Sequence, residues 1–204
     1  MLVAGILLTA YLLGSIPSAV WLGLWLYKVD VRQHGSKNSG ATNTFRVLGR
    51  RLGITVLLMD VAKGFLAVQL AFIFFPDENF LWVHIIAGLT CVLGHIYSVF
   101  VSFKGGKGVS TSFGVYLALN PYTIILCLVI FLIVFFATRY VSLASIIAAL
   151  SIPWISYFVV DRVDELSLMF NLFISVLIVF AHRKNIERLL KGKESKMNFS
   201  KTKA

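Results

Sequence analysis

The chain has 204 residues, of which 58% are hydrophobic and 14% are charged. Its mean hydropathy is +0.86, and most of the hydrophobic residues lie in apolar runs of about twenty residues. These two features exclude the soluble globular, fibrous and disordered classes of protein. The formal net charge of +10 would indicate nucleic acid in a soluble chain. In a membrane protein it indicates lipid headgroups or phosphate, so we expect membrane lipid and no nucleic acid among the partners.

Seven apolar segments, separated by Pro, Asn, Asp or Gly, predict an all-α polytopic membrane protein of about seven transmembrane helices. They are residues 2–27, 53–75, 80–100, 109–119, 122–138, 141–160 and 166–181. Pro17 is expected to kink the first helix because proline removes a backbone hydrogen bond, and Ser15 is expected to satisfy the freed carbonyl. The prediction is one integral membrane domain, residues 1–204, that ends in a basic cytoplasmic tail, residues 183–204.

The basic residues set the predicted orientation. Placing the connecting segments on alternate sides puts 17 of the 19 Lys and Arg residues on one side, with Arg162 on the other and Lys63 within a span. Because Lys and Arg concentrate in cytoplasmic loops, the amino terminus is predicted outside and the carboxyl terminus in the cytoplasm. A phosphate site would also gather cations on one face, which is a second source for the same asymmetry.

The fourth predicted span is short. Its 11 residues cover about 16 Å, roughly half of a ~30 Å hydrocarbon core. The preceding Gly-rich loop, residues 103–108, is therefore expected to enter the membrane plane, which non-helical backbone does only where it is buried in protein or lines a wet cavity. The alternative is a slightly tilted helix that starts near Lys104.

The first polar segment that indicates chemistry is residues 34–51, which is dense in Gly, Ser, Thr and Asn. Glycines let backbone N–H groups approach a ligand, and an arginine fork suits phosphate or carboxylate. The candidate substrate-binding and catalytic residues here are Ser36, Asn38, Thr42, Asn43 and Arg46. A polar turn with only conformational roles for Asn and Gly is the alternative.

The second segment places two lysines among three glycines immediately before the short span, and its candidate phosphate-binding residues are Lys104, Gly105, Gly106, Lys107 and Gly108. Backbone amides, the helix dipole and two ammonium groups are expected to converge on one anion. The GxxxxGK[ST] spacing is not met, so the segment predicts phosphate binding without a nucleotide. A flexible cytoplasmic turn with topogenic lysines is the alternative.

The third segment, residues 181–190, is predicted to be helical and to place His182 and Asn185 on one face. Glu187 is expected to pair with Arg183 or Arg188. A lone histidine at a membrane surface is more often interfacial than catalytic, which leaves two interpretations of His182.

Three further positions carry predictions. Asp60 and Lys63, one helical turn apart within a span, are expected to neutralise each other as a structural pair, with a ligand contact as the alternative. Ser142 is expected to line the cytoplasmic site or to cap its helix. The two cysteines lie in apolar runs, so no disulfide, metal site or redox cofactor is predicted.

These segments together resemble the bacterial acyl-phosphate-dependent glycerol-3-phosphate acyltransferase family. The resemblance rests on residues 35–43 with Arg46, on residues 94–109, and on residues 182–186 with Glu194, in the family's order and over essentially the whole chain. Two departures stand out. Lys37 occupies a position where the family usually has Gly, and Ser98 a position where it usually has Pro.

The resemblance implies residue roles. Ser36 and Arg46 match the essential pair of the first motif, and residues 104–108 match the glycerol-phosphate loop. His182 and Asn185 match the functional pair of the third motif, and Glu194 matches its structural acid.

The activity implied is transfer of an acyl group from acyl phosphate to the 1-hydroxyl of glycerol 3-phosphate, giving lysophosphatidic acid and phosphate in phospholipid biosynthesis. The implied site faces the cytoplasm at the bacterial plasma membrane, uses no cofactor, and is built from three cytosolic stretches that form one cation-rich pocket. An acyl phosphate is already an activated anhydride, so direct attack without an acyl-enzyme is expected, with His182 or the donor's phosphate as proton acceptor. The rival interpretations are a small transporter or channel for organic phosphate and a structural membrane subunit.

Overall fold

A computed structural model describes residues 1–160 and 164–197, and these residues divide into two compact units, residues 1–119 and residues 120–160 with 164–197. The described part contains ten α-helices and no strand. Arg162 and the end of the predicted basic tail, residues 198–204, lie outside the described residues.

The first unit contains six helices. They are α1 (Leu2–Ser15), α2 (Ser18–Tyr27), α3 (Ala41–Leu48), α4 (Arg50–Phe74), α5 (Leu81–Ile96) and α6 (Val109–Leu119). Single 3₁₀ turns lie before α3, before α5 and after α5, at Val31–Gln33, Glu78–Phe80 and Val99–Val101. Small buried side chains from α1, α4 and α5, mostly alanine, form one core cluster of this unit.

The second unit contains four helices: α7 (Pro121–Thr138), α8 (Val141–Phe158), α9 (Glu165–Ala181) and α10 (Arg183–Leu190). The Asn120 side chain caps α7 by accepting the Thr123 N–H at 3.0 Å, and Asp164 caps α9 by accepting the Ser167 N–H at 2.9 Å. These caps satisfy amide groups that have no partner within their own helix.

Several helices are long and apolar enough to cross a bilayer. Within the described residues four helices meet this test alone, and the bent pairs α1–α2 and α9–α10 raise the number to six. The short apolar α6 has the bounds predicted for the fourth span. The chain is therefore an all-helical membrane protein, as the sequence indicates.

The predicted kink at Pro17 is a complete break, with a bend of 44° between α1 and α2. The polar groups at the break differ from the expectation for Ser15. The Ser15 hydroxyl donates to the Gly94 carbonyl of α5 at 3.3 Å, and it is the Ser98 hydroxyl that donates to the Ser15 carbonyl. Neighbouring elements thus satisfy the broken helix, as irregular backbone at membrane depth requires.

Glycines let two helix pairs of the first unit touch backbone to backbone. A Cβ on Gly14 of α1 would lie 2.1 Å from the Cys91 carbonyl oxygen of α5. A Cβ on Gly114 of α6 would lie 1.9 Å from the Val61 carbonyl oxygen of α4. Small residues at such contacts are the usual means of close packing between membrane helices.

Pro153 lies inside α8 and lacks the N–H that would bond the Ala149 carbonyl one turn earlier. The Ser175 hydroxyl of α9 donates to that carbonyl at 2.5 Å. A second contact between the same helices runs from the Asn171 amide to the Ser156 hydroxyl at 2.9 Å. Polar side chains thus join α8 to α9 inside the second unit.

Candidate active site

The Asn43 side chain, almost fully buried in the first turn of α3, organises the segment that we name loop A (residues 34–43). Its amide nitrogen donates to three backbone carbonyl oxygens at 2.7, 3.1 and 2.9 Å, which belong to Val31, His34 and Asn38. Its Oδ1 accepts the Ser36 N–H at 2.8 Å. Asn43 therefore positions loop A, and its direct phosphate contact stays a prediction.

Two residues of loop A have left-handed backbone conformations. Gly35 has φ +58°, and a Cβ there would lie 2.4 Å from the Asn43 Oδ1 atom. Lys37 has φ 57° and is exposed. A left-handed conformation costs a non-glycine residue about 1–2 kcal/mol, which is a physical reason for the glycine that the family resemblance leads us to expect at position 37.

Helix α3 was not predicted, since the sequence indicated polar loop from residue 34 to residue 51. In the structure part of this segment is a two-turn helix, with Thr42 in its first turn and Arg46 in its last turn. Both are half-buried, as are Ser36 and Asn38 in loop A. Gly49 joins α3 to α4 with φ 89° and ψ 179°, a conformation that essentially only glycine adopts.

The segment that we name loop B (residues 97–108) connects α5 to α6 and contains the two-lysine motif. The predicted helix to residue 100 ends instead at Ile96. The reason lies in loop B itself, because the Gly105 N–H donates to the Ile96 carbonyl at 2.9 Å and the Gly106 N–H to the His95 carbonyl at 3.0 Å. These two amides cap α5, so they are not available to an anion.

The remaining groups of loop B lead into α6. Lys104 is exposed, and Lys107 is half-buried. Gly108 has φ +81°, and a Cβ there would lie 3.0 Å from a Val92 methyl group. The backbone thus turns tightly before α6, whose first amide groups lack partners within the helix and carry the positive end of its dipole.

Residues of loop A and loop B share one hollow in the first unit. The hollow is lined by Ser39 of loop A, by Ser98, Gly105 and Gly106 of loop B, and by polar groups of the helices around them, namely Ser15, Ser18, Asp60 and His95. Its volume of about 10 Å³ admits roughly one water molecule. Two motifs more than 60 residues apart therefore meet at a polar cavity.

The Asp60 and Lys63 side chains form a buried ion pair beside this hollow, with 2.9 Å between Lys63 Nζ and Asp60 Oδ1. Lys63 Nζ also donates to the Ile16 carbonyl at 2.9 Å, and Asp60 Oδ1 accepts the Ser18 hydroxyl at 3.2 Å. The pair thus contacts the break between α1 and α2 as well as its own helix.

The Glu194 carboxylate is the hub of the polar groups in the second unit. It accepts the Ser142 hydroxyl at 2.8 Å, the Asn185 amide at 2.7 Å and the Arg188 Nε–H at 2.7 Å. Burial raises the pKa of Glu194, but these hydrogen bonds outweigh burial and hold the pKa below its usual value. The carboxylate stays ionised and joins α8, α10 and the segment that follows α10.

This arrangement also bears on the predicted partners of Glu187. Glu187 pairs with Lys191 at 2.6 Å, and Arg188 pairs with Glu194, so the predicted pairing of Glu187 with Arg183 or Arg188 is wrong. Lys191 lies one helical turn after Glu187, which is the favoured direction for such a pair. Lys191 lowers the pKa of Glu187 through this contact.

The His182 side chain lies at the junction of α9 and α10 and is buried. Its Nδ1 atom is 2.8 Å from the Ile178 carbonyl oxygen. Because a carbonyl oxygen only accepts, this contact assigns the proton to Nδ1 and leaves Nε2 as the basic atom of the neutral ring. The Asn185 N–H donates to the His182 carbonyl at 2.7 Å, so the two predicted residues are joined through the backbone.

Sequence reasoning placed His95 and Ser98 in a family motif but gave neither residue a role in supporting the site. Both are buried polar residues next to the two-lysine motif, and the signal that points to them is a polar residue at the apolar end of a predicted span. Among residues 1–160 and 164–197, no three His, Cys, Asp or Glu side chains come close enough to hold a metal ion.

The fold and these loops define a class of protein: an all-helical membrane protein with polar, cation-bearing loops adjoining its spans. The sequence model of the glycerol-3-phosphate acyltransferase family matches this chain over residues 4–192. The chain belongs to this glycerol-3-phosphate acyltransferase family.

Relatives and solved structures agree with this assignment. A glycerol-3-phosphate acyltransferase of Fusobacterium nucleatum is 48% identical over 93% of this chain and 95% of that protein. A crystal structure of PlsY (YgiH), an integral membrane glycerol 3-phosphate acyltransferase in its glycerol 3-phosphate form, is 40% identical with a TM-score of 0.90. The alignment covers 97% of this chain and 96% of that one. The lysophosphatidic acid form of PlsY is 37% identical, with a TM-score of 0.84 over 98% of this chain and 97% of that one.

Proposed function

We propose that the protein transfers an acyl group from acyl phosphate to the 1-hydroxyl of glycerol 3-phosphate, forming lysophosphatidic acid and phosphate. It does so as one membrane domain of the bacterial plasma membrane, with its reactive groups toward the cytoplasm. The observation that carries the proposal is the shared hollow of loop A and loop B, in a chain that belongs to the glycerol-3-phosphate acyltransferase family. The PlsY forms with glycerol 3-phosphate and with lysophosphatidic acid support the substrate and the product.

The two substrates both carry phosphate, which fits the cations of these loops. Arg46, Lys104 and Lys107 supply charge-assisted donors that bind the phosphate of glycerol 3-phosphate and stabilise the phosphate that leaves. Ser36, Asn38 and Thr42 supply hydrogen-bonding groups, and Gly108 with the first turn of α6 supplies backbone N–H groups. Gly105 and Gly106 act by shaping the backbone, since their own amides cap α5.

The chemical step is a direct displacement. The glycerol hydroxyl oxygen bonds to the acyl carbon, and the bond from that carbon to the phosphate oxygen breaks. The hydroxyl proton passes to the leaving phosphate, which avoids an imidazolium among so many cations. His182 and Asn185 orient the reactants, while Ser142 and Glu194 hold Asn185 in place through the hydrogen bonds around the Glu194 carboxylate.

The test uses the purified protein in lipid vesicles with acyl phosphate and glycerol 3-phosphate. Mass spectrometry of lysophosphatidic acid and a phosphate assay should give equal amounts of both products. Replacement of acyl phosphate by an acyl thioester tests the donor, and replacement of glycerol 3-phosphate by glycerol tests the acceptor. Uptake of glycerol 3-phosphate into vesicles without lysophosphatidic acid would instead identify a transporter.

Variants assign the roles of the residues. Arg46→Ala is expected to lower turnover by at least 100-fold, the usual effect of losing a donor to a developing negative charge. Arg51→Ala, a matched change of an exposed arginine at the start of α4, is expected to leave turnover within threefold of the unmodified protein. Near-normal turnover of His182→Gln would exclude the histidine as general base, whereas a loss of at least 100-fold would favour it over the phosphate.

A further inference from the structure

The Asp60–Lys63 pair has more contacts than mutual neutralisation requires. Both side chains are at most 5% exposed in a membrane-spanning helix, where two buried ionised groups cost free energy even when they pair. Lys63 donates to the Ile16 carbonyl, and the Ser18 hydroxyl donates to Asp60. Asp60 also lies next to α5.

The residue of α5 that Asp60 faces is His95. Its Nδ1 atom lies 3.7 Å from Asp60 Oδ1, and its side chain is 8% exposed. This separation is longer than a direct hydrogen bond, but two groups this close inside a protein interact strongly through their charges and dipoles. The carboxylate therefore favours the ring orientation that turns Nδ1–H toward α4.

The opposite edge of the His95 ring supports loop B. A Cβ on Gly106 would lie 2.2 Å from His95 Nε2, and a Cβ on Gly105 would lie 2.0 Å from the His95 carbonyl oxygen. The same carbonyl accepts the Gly106 N–H. Both the side chain and the backbone of His95 thus fix where the two glycines lie.

We infer that Asp60 and Lys63 are positioning residues for loop B, which act through His95 on the backbone of Gly105 and Gly106. The charged pair orients the imidazole, the imidazole and its carbonyl hold the two glycines, and the glycines set the approach of the neighbouring lysines to phosphate. The kinetic consequence of this inference rests on the proposed function. Its structural consequence does not.

The structural test compares the unmodified protein with the double variant Asp60→Asn/Lys63→Met. Removing both charges avoids the uncompensated buried charge that either single change leaves, so the helix bundle is expected to fold. Hydrogen exchange of the peptide that spans loop B is expected to be about tenfold faster or more, because the Gly105 and Gly106 hydrogen bonds open more often. Unchanged exchange in a folded variant would overturn the inference.

A matched control separates positioning from general destabilisation. Asn171→Leu removes a buried polar contact between α8 and α9 in the second unit and is expected to lower thermal stability without changing exchange in loop B. Faster loop B exchange of equal size in this control would overturn the inference, because any loss of stability would then produce the effect.

The kinetic test uses the same variants. The double variant is expected to raise the KM for glycerol 3-phosphate about tenfold and to keep kcat within threefold of the unmodified protein. In a protein that already carries His95→Ala, the same double change is expected to alter KM less than twofold. A tenfold effect that persists with His95→Ala would refute the route through His95, and an unchanged KM would refute the positioning role. Absence of product from the unmodified protein would refute the proposed function, while the exchange measurement would still decide this inference.

Discussion

Replacement of Asn43 by alanine should disorder loop A. The Asn43 side chain makes hydrogen bonds to four backbone groups of the loop or its flank, at 2.7 to 3.1 Å, and is 1% exposed. Two of the three carbonyl contacts share one N–H, so the four contacts count as about three hydrogen bonds. At about 1 kcal/mol net for each bond, the substitution removes about 3 kcal/mol of stabilisation from loop A. Since about 1.4 kcal/mol is a factor of ten, we expect kcat/KM to fall roughly 100-fold.

The assay is lysophosphatidic acid formation over a range of glycerol 3-phosphate concentrations, with hydrogen exchange at the Ser36 amide measured in parallel. The matched control is Thr44→Ala, because the buried Thr44 hydroxyl makes one hydrogen bond, to the Gly40 carbonyl at 3.2 Å. That variant should lose about fivefold. If Asn43→Ala keeps kcat/KM within threefold and leaves Ser36 exchange unchanged, the organising role of Asn43 is refuted.

Three further predictions concern stability. Hydrogen bonds hold the folded-state pKa of Glu194 below its reference value of 4.5. The ionised Glu194 therefore stabilises the fold fully above about pH 4.5, and this stabilisation is lost as the pH falls through the folded-state pKa. Below pH 4.5 the melting temperature should fall more steeply in the unmodified protein than in Glu194→Gln, and equal slopes would contradict this prediction. Ser175→Ala should lower the free energy of unfolding by about 0.6–1.7 kcal/mol. The same change should have a smaller effect in a protein that already carries Pro153→Ala, because alanine at position 153 restores the missing N–H. If unfolding assays show that the effects of the two changes simply add, the contact between Ser175 and the Ala149 carbonyl is refuted. Gly114→Ala should lower the free energy of unfolding by about 2 kcal/mol or more, because a Cβ would lie 1.9 Å from a backbone oxygen of α4. Gly5→Ala is the control, since a Cβ there would have nothing within 4 Å, and it should not destabilise the protein. Similar melting temperatures for the two variants would refute the close contact.

The spans were predictable because hydropathy and punctuation agree at their ends. Helix α6 begins and ends where predicted, since a glycine with φ +81° precedes it and Asn120 with Pro121 follows it. The break at Pro17 was predictable from the missing N–H of proline. Helix α3 was not, because eight residues are too few for a clear periodic pattern and its stability comes from tertiary contacts such as those of Asn43.

The candidate site was predictable in its residue types and not in its contacts. Composition indicates that Asn43, Gly105 and Gly106 belong to ligand-binding loops, yet the structure shows that all three use their polar groups to hold backbone. Glu187 has several basic residues within one turn, and sequence spacing does not choose among them. Hydrogen bonds between distant segments depend on how the segments fold together, which the sequence pattern does not determine.

The glycine contacts of α6 with α4 have a consequence for how far the two helices can move against each other. A side chain at Gly64 or Gly114 would overlap a carbonyl of the facing helix, so a slide of α6 by one residue would bring a bulkier side chain into the same space. The two helices are therefore locked in a single register. Replacements of either glycine by a larger residue should therefore change whether the protein folds, and not only how stable it is.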